Sequence, residues 1–280
     1  MSGTGRDSPR TPGAGAAAAA RRRVSMRGDG RSSPSPSTPA SVASAASSAA
    51  GTPGKGDDPA SIRVVARFRP LNKKEIKRGS KFCVEVDASR TDLVKLRTLD
   101  GAEHDFHFDR VFGTKSTQQE VYEDAARPII ADVLRGYNGC LLAYGQTGAG
   151  KTHTMSGPSI DDPEMMGIIP RMADELFEFA AEADESTEFE VKCSYVEIYL
   201  ERLRDLLDPA KDNLRVHEDP ELGVYVKGAT EVYVTSVDEM LEVMRQGNSN
   251  RAVAATGMNE GSSRSHSLFL VSVQQTVGAG

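Results

Sequence analysis

The chain has 280 residues, 38% of them hydrophobic, and a net charge of −6, enough apolar material for a core in one large domain or two small ones. The charge is divided, because the first 56 residues carry +6 and no aromatic residue while the remainder carries −12. An acidic body argues against non-specific nucleic-acid binding, and no window approaches the roughly 18 consecutive apolar residues of a membrane span, so a soluble protein is expected.

Residues 1–59 are dominated by Ser, Pro, Gly and Ala, which supply too little apolar surface to offset the entropy of ordering, and they read as a disordered basic arm. Six Ser or Thr residues there precede Pro (Ser8, Thr11, Ser33, Ser35, Thr38 and Thr52), and Ser25 follows Arg21, Arg22 and Arg23. Phosphorylation at such sites would change what a basic arm adheres to. The Arg- and Ser-rich, acid-poor composition is also that of an organelle transit peptide, and that alternative stays open.

From residue 60 onward the pattern is that of a globular domain. Ile62, Val64, Ala66 and Phe68 alternate with Arg63, Val65 and Arg67, which predicts a strand with the first four on its buried face. Phe82–Val86 and Leu93–Leu96 form a second strand region, and Phe106–Phe108 is a third short candidate. Val121, Ala125, Ile129 and Val133 recur every fourth residue with Gly136 just beyond, the pattern of a helix. The apolar run Cys140–Tyr144 predicts a strand leading into a glycine-rich loop and then a helix start at Lys151 and Thr152. Ile169–Ala181 reads as an amphipathic helix, Phe189–Tyr199 as a long strand and His266–Val277 as a closing strand. Ser236 with Glu239 is a capping-box pattern that starts a helix at Val237. Interleaved strands and helices give an α/β fold with a mixed central sheet flanked by helices. Cys83, Cys140 and Cys193 form no CxxC pair and read as reduced, buried structural thiols.

The most specific signal is GQTGAGKT, residues 145–152, which matches G-x-x-x-x-G-K-[ST] at every fixed position. Glycines let a backbone curl until its N–H groups face phosphate oxygens, and the following helix adds its positive end. Gly145, Gln146, Thr147, Gly148, Ala149, Gly150, Lys151 and Thr152 are therefore expected to cradle a nucleoside triphosphate. Lys151 would reach the β- and γ-phosphates, and the Thr152 hydroxyl would ligate Mg²⁺. A P-loop by itself does not name an enzyme, since it serves kinases, transporters, GTPases and motors.

Four further segments carry a resemblance. RFRPLN (67–72), MGIIPR (166–171), SYVEIYLERLRDLL (194–207) and NEGSSRSHS (259–267), together with YGQTGAGKTHTM (144–155), occur here in the order in which they occur in kinesin motors. The chain from residue 61 almost to its end resembles the kinesin motor domain family, closest to its conventional heavy-chain branch. Myosins share the GAGKT ending but carry Glu-Ser where this chain has Gln146 and Thr147, and they lack the Ser265-His266 continuation. No NKxD-type guanine motif supports a GTPase.

The resemblance implies that Arg67, Arg69 and Pro70 border an adenine, with His153 on the other side of the base. It implies that Asn259, Ser262, Ser263 and Arg264 form switch I, the loop that senses the γ-phosphate: Ser263 would join Thr152 in the Mg²⁺ shell, and Ser262 and Asn259 would contact the γ-phosphate and its attacking water. Gly261 stands where the conventional branch tends to have His. ATP and Mg²⁺ are the implied ligands and microtubules the implied partner, in the cytoplasm on the cytoskeleton, with track contact here confined to loops around Asp208–Lys227. The resemblance also implies segments not found in these 280 residues: a DLAGSE-like switch II, the helix after it, a neck linker and a coiled-coil stalk, on which a homodimer would depend. The expected fold is therefore a C-terminally truncated motor domain over residues 60–280, poorly folded and inactive by itself. An ATP-dependent microtubule motor is the leading expectation; a non-catalytic nucleotide-binding or interaction protein is the alternative.

Overall fold

The computed structural model describes residues 62–87, 89–220, 223–257 and 265–278. In chain order these form β1 (Val65–Arg67), α1 (Lys73–Lys77), β2 (Val84–Val86), β3 (Leu93–Arg97), β4 (Glu103–His107) and β5 (Arg110–Phe112). Next come α2 (Gln118–Val121), a π-helical turn (Tyr122–Ala126), α3 (Arg127–Leu134), α4 (Lys151–Met155) and α5 (Ile168–Glu182). Then follow β6 (Thr187–Tyr199), β7 (Arg202–Asp205), β8 (Asp212–Asp219), β9 (Gly223–Lys227), β10 (Val232–Val234), α6 (Val237–Gly257) and β11 (His266–Val277).

The long alternating segments behave as their sequence predicts. β6 is paired antiparallel with β11 along twelve residues on one edge, and with β10 and then β7 on the other. Inward-facing Val191, Cys193 and Tyr195 meet Ile169, Ala173 and Leu176 of α5 and Met240, Val243 and Met244 of α6 in the larger core cluster. Two contacts fix that packing. The Tyr195 hydroxyl donates to Asn248 Oδ1 at 2.9 Å, and Gly247 lies so close to the Tyr195 ring that a Cβ there would be 2.1 Å from Cδ1. A second cluster joins Phe112, Val121, Tyr122, Ala126 and Ile168.

The α/β class holds, but among the described residues the strands form three hydrogen-bonded sheets rather than one: parallel β1–β5, antiparallel β2–β3–β4, and the six strands built around β6. The predicted strand at Cys140–Tyr144 does not form. It keeps the alternation, with Leu141 packed on the second cluster while Leu142 and Tyr144 are exposed, yet no described strand lies beside it to complete a ladder. For a related reason β1 shrinks to three residues. Among the described residues it pairs only with β5, and Ile62 and Val64, predicted to be inside, are exposed while Val65 packs on the second cluster.

The helix after Thr117 also departs from its predicted face. Arg127 N–H bonds to the Tyr122 carbonyl, five residues back, and this extra residue moves the buried stripe from Val121, Ala125, Ile129 and Val133 to Val121, Tyr122, Ala126 and Ile130. The cause is Pro128, which has no N–H for the Asp124 carbonyl. The Arg63 guanidinium donates to that carbonyl instead, while Arg63 and Arg110 each reach the Asp124 carboxylate at 2.7 Å. The Ser236 capping box is only half made. Glu239 N–H bonds to Ser236 Oγ at 3.3 Å, but the Glu239 carboxylate turns to the N–H and hydroxyl of Thr235. Residues 208–227, expected as loops, contain the β8–β9 hairpin. Of the three thiols only Cys193 is buried, and Cys83 and Cys140 are exposed.

Candidate functional site

The loop before α4 is shaped by three glycines in conformations that L-residues rarely adopt: Gly145 at φ 151°, Gly148 at φ 79° and Gly150 at φ 109°. Ala149 N–H closes a turn on the Gln146 carbonyl at 3.1 Å. Lys151 folds back across this turn, its Nζ donating to the carbonyls of Gly145 at 2.7 Å and Gln146 at 3.1 Å. An ammonium so placed, beside an exposed Thr152 hydroxyl, is the donor set that a phosphate chain and a hard cation need. No atom lies within 4 Å of a Cβ built at Gly148 or Gly150, so the loop is open on that side. α4 is only five residues long because the chain must turn at Gly157, φ 83°, where a Cβ would sit 2.3 Å from the Met165 carbonyl.

The RFRP segment meets this loop directly. Arg69 Nε donates to the Gly148 carbonyl at 2.6 Å, and its two terminal nitrogens fork onto Glu75 at 2.8 and 2.6 Å. Glu75 is itself the third residue of α1 and completes a reciprocal capping box with Asn72. Arg67 Nη1 donates to Gln118 Oε1 at 2.8 Å and to Thr154 Oγ1 of α4 at 3.0 Å. Pro70 is exposed beside Arg69, and His153 is exposed on α4. Partial burial first, and the Arg67 charge second, hold the His153 imidazole below its ordinary pKa, which keeps the ring neutral near pH 7.

Gln118 was not singled out by sequence, yet it is the hub of this region. It is buried, accepts from Arg67, and donates to the His153 carbonyl at 2.7 Å and the Met165 carbonyl at 3.0 Å. Arg171, the last residue of the MGIIPR segment, is buried too and holds the approach to α5 through the Pro163 and Met166 carbonyls and Gln119. The only sequence signal for Gln118 is its place inside a Thr117–Glu120 capping box.

Arg67, Arg69, Pro70, residues 145–152 and His153 are thus brought together. Asn259, Ser262, Ser263 and Arg264 lie outside the described residues. Both flanks of that segment are described: Arg251 of α6 pairs with the buried Glu197 at 3.1 Å and donates to Ser265 and Ser267.

Comparison with known proteins follows the same lines. The family model "Kinesin motor domain" matches residues 67–279. The chain is 50% identical over 220 residues to Kinesin-1 heavy chain of Rattus norvegicus, covering 78% of this chain and 22% of that protein. It is 51% identical over 222 residues to Kinesin-related protein 3 of Dictyostelium discoideum, covering 77% of this chain and 18% of that one. The chain therefore spans about a fifth of the length of these curated relatives. A solved structure described as "Structure of a fast kinesin: Implications for ATPase mechanism and interactions with microtubules" superposes with a TM-score of 0.74 at 48% identity, over 78% of this chain and 60% of that one. With a motor-domain model matched over most of its length and half its aligned residues shared with heavy chains, the chain belongs to the kinesin motor domain family.

Proposed function

We propose that this chain is the nucleotide-binding portion of an ATP-driven microtubule motor. The observation that carries the reading is the loop 145–152, in which three positive-φ glycines form an open turn with the Lys151 ammonium folded over it. Lys151 would exchange its two carbonyl partners for β- and γ-phosphate oxygens, and the loop N–H groups would hold the same phosphates. Thr152 would offer its hydroxyl to Mg²⁺, with Ser263 as a second hydroxyl; the ion would neutralise charge developing on the phosphates. Pro70 and the neutral His153 ring would flank the adenine, and Asn259, Ser262 and Arg264 would place the water and sense the γ-phosphate. Turnover would rest on positioning and charge stabilisation rather than on a covalent intermediate. Microtubule stimulation, and track contact through residues 208–227, belong to the same proposal.

Binding of a fluorescent ATP analogue to the 280-residue chain, with Lys151→Ala beside it, tests the reading. Saturable binding that Lys151→Ala abolishes is expected, and its absence from the unaltered chain would refute the nucleotide site. A second reading, nucleotide binding without turnover, is favoured by Cys140–Tyr144, which enters the loop with no strand beside it among the described residues. Phosphate release by this chain with and without microtubules separates the two: microtubule-stimulated release excludes the non-catalytic reading, and nucleotide binding without release supports it.

A further inference from the structure

We propose that Glu75 is a positioning residue for the phosphate loop: it holds the Arg69 guanidinium where Nε donates to the Gly148 carbonyl, and through that bond sets how tightly the loop retains an adenine nucleotide. The inference rests on the nucleotide-binding reading above and extends it to a residue that touches neither the loop nor a ligand.

Three observations carry it. An arginine side chain has many rotamers, and holding one of them in a single orientation requires partners for the whole fork. Here both terminal nitrogens are taken by the two oxygens of Glu75, and Nη1 also reaches the Pro70 carbonyl at 2.9 Å, which leaves Nε directed at Gly148. Glu75 in turn is fixed from the opposite side: its carboxylate accepts the Asn72 N–H at 2.8 Å while its own N–H donates to Asn72 Oδ1 at 2.9 Å. The Arg69 guanidinium first, and the Asn72 amide second, hold the Glu75 carboxyl down to about 2, so it is ionised at any working pH.

The third observation is what Gly148 does. Its carbonyl and the Ala149 N–H belong to one rigid peptide plane, and that N–H closes the turn on Gln146. A glycine at φ 79° with open space around it can rotate this plane at little steric expense. The Arg69 bond opposes that rotation from outside the loop, and Glu75 keeps Arg69 in place to do so.

The test is the release rate of a fluorescent ADP analogue, chased with excess unlabelled ATP, from the 280-residue chain and from Glu75→Gln, Arg69→Ala and the double variant. Glu75→Gln is expected to speed release about tenfold, and in the Arg69→Ala background the same change is expected to add nothing further, the mark of a group that acts through its partner. Glu75→Asp keeps the charge but is one methylene short; it guards against loss of fold and is expected to give an intermediate rate, about threefold faster. Thermal unfolding midpoints without nucleotide accompany each rate, because a residue serving only the start of α1 would lower the midpoint equally in both backgrounds. Unchanged release in Glu75→Gln and Glu75→Asp, or a full-sized Glu75→Gln effect in the Arg69→Ala background, overturns the proposal. An unaltered chain that binds no nucleotide overturns the nucleotide reading itself, and this inference with it.

Discussion

His153 sits on α4 with Arg67 nearby, and both its partial burial and that charge disfavour the imidazolium. A histidine whose folded pKa is depressed supports the fold most above its unfolded value of about 6.5, and that support is lost as pH falls through the folded value. NMR titration is expected to place the His153 midpoint below the ordinary value, and Arg67→Ala to move it back upward; a midpoint at or above the ordinary value would contradict the stated cause. Gln118 makes the other residue-scale prediction. Gln118→Leu keeps the volume roughly but leaves the Arg67 guanidinium with Thr154 alone and removes the donor to the carbonyls of His153 and Met165, so urea unfolding should show a loss of about 2 kcal/mol. The GQTGAGKT segment was legible because its residue types are tied to phosphate chemistry, whereas RFRP was singled out only through its resemblance to the motor family. Gln118 was not, because a glutamine near a helix start looks ordinary, and what it joins lies 35 and 47 residues away.

At the scale of elements, Gly247 gives the sharpest case. Alanine is a better helix former than glycine by about 1 kcal/mol, but here its Cβ would enter the Tyr195 ring, which Asn248 holds by a hydrogen bond and Phe269 by an edge-to-face contact at 5.3 Å. Gly247→Ala should therefore destabilise by roughly 1–3 kcal/mol in denaturant unfolding, against its propensity; a stabilised variant would mean that the α6–β6 packing yields easily. The elements legible in the sequence were those with a sustained period, such as β6, β11 and α5, and α6, whose start the Ser236 and Glu239 pattern marked. β5, β7 and β10 span three or four residues each, too few for a period to emerge, and β7 reads Arg-Leu-Arg-Asp. Their strand state is decided by the neighbour they lie beside. The shifted face of the α2–α3 helix was hidden because a regular helical count cannot show where one residue is looped out, although Pro128 marks the place.

For the molecule as a whole, β6 is the organising strand, paired on both edges and covered by α5 and α6, whereas Cys140–Tyr144 reaches the phosphate loop without a described strand on either side. That contrast has a consequence in time rather than in space. Backbone amides in the middle of β6 are released to solvent only when pairing on both its edges opens, while those of residues 140–144 have no ladder bond to a described strand to lose. Hydrogen–deuterium exchange should accordingly differ widely between these two segments, with peptides from 191–196 among the last to acquire deuterium and peptides from 140–144 among the first. The segment that delivers the chain to the candidate phosphate site would then run on a fast clock, and an added nucleotide should slow it while leaving the middle of β6 unchanged.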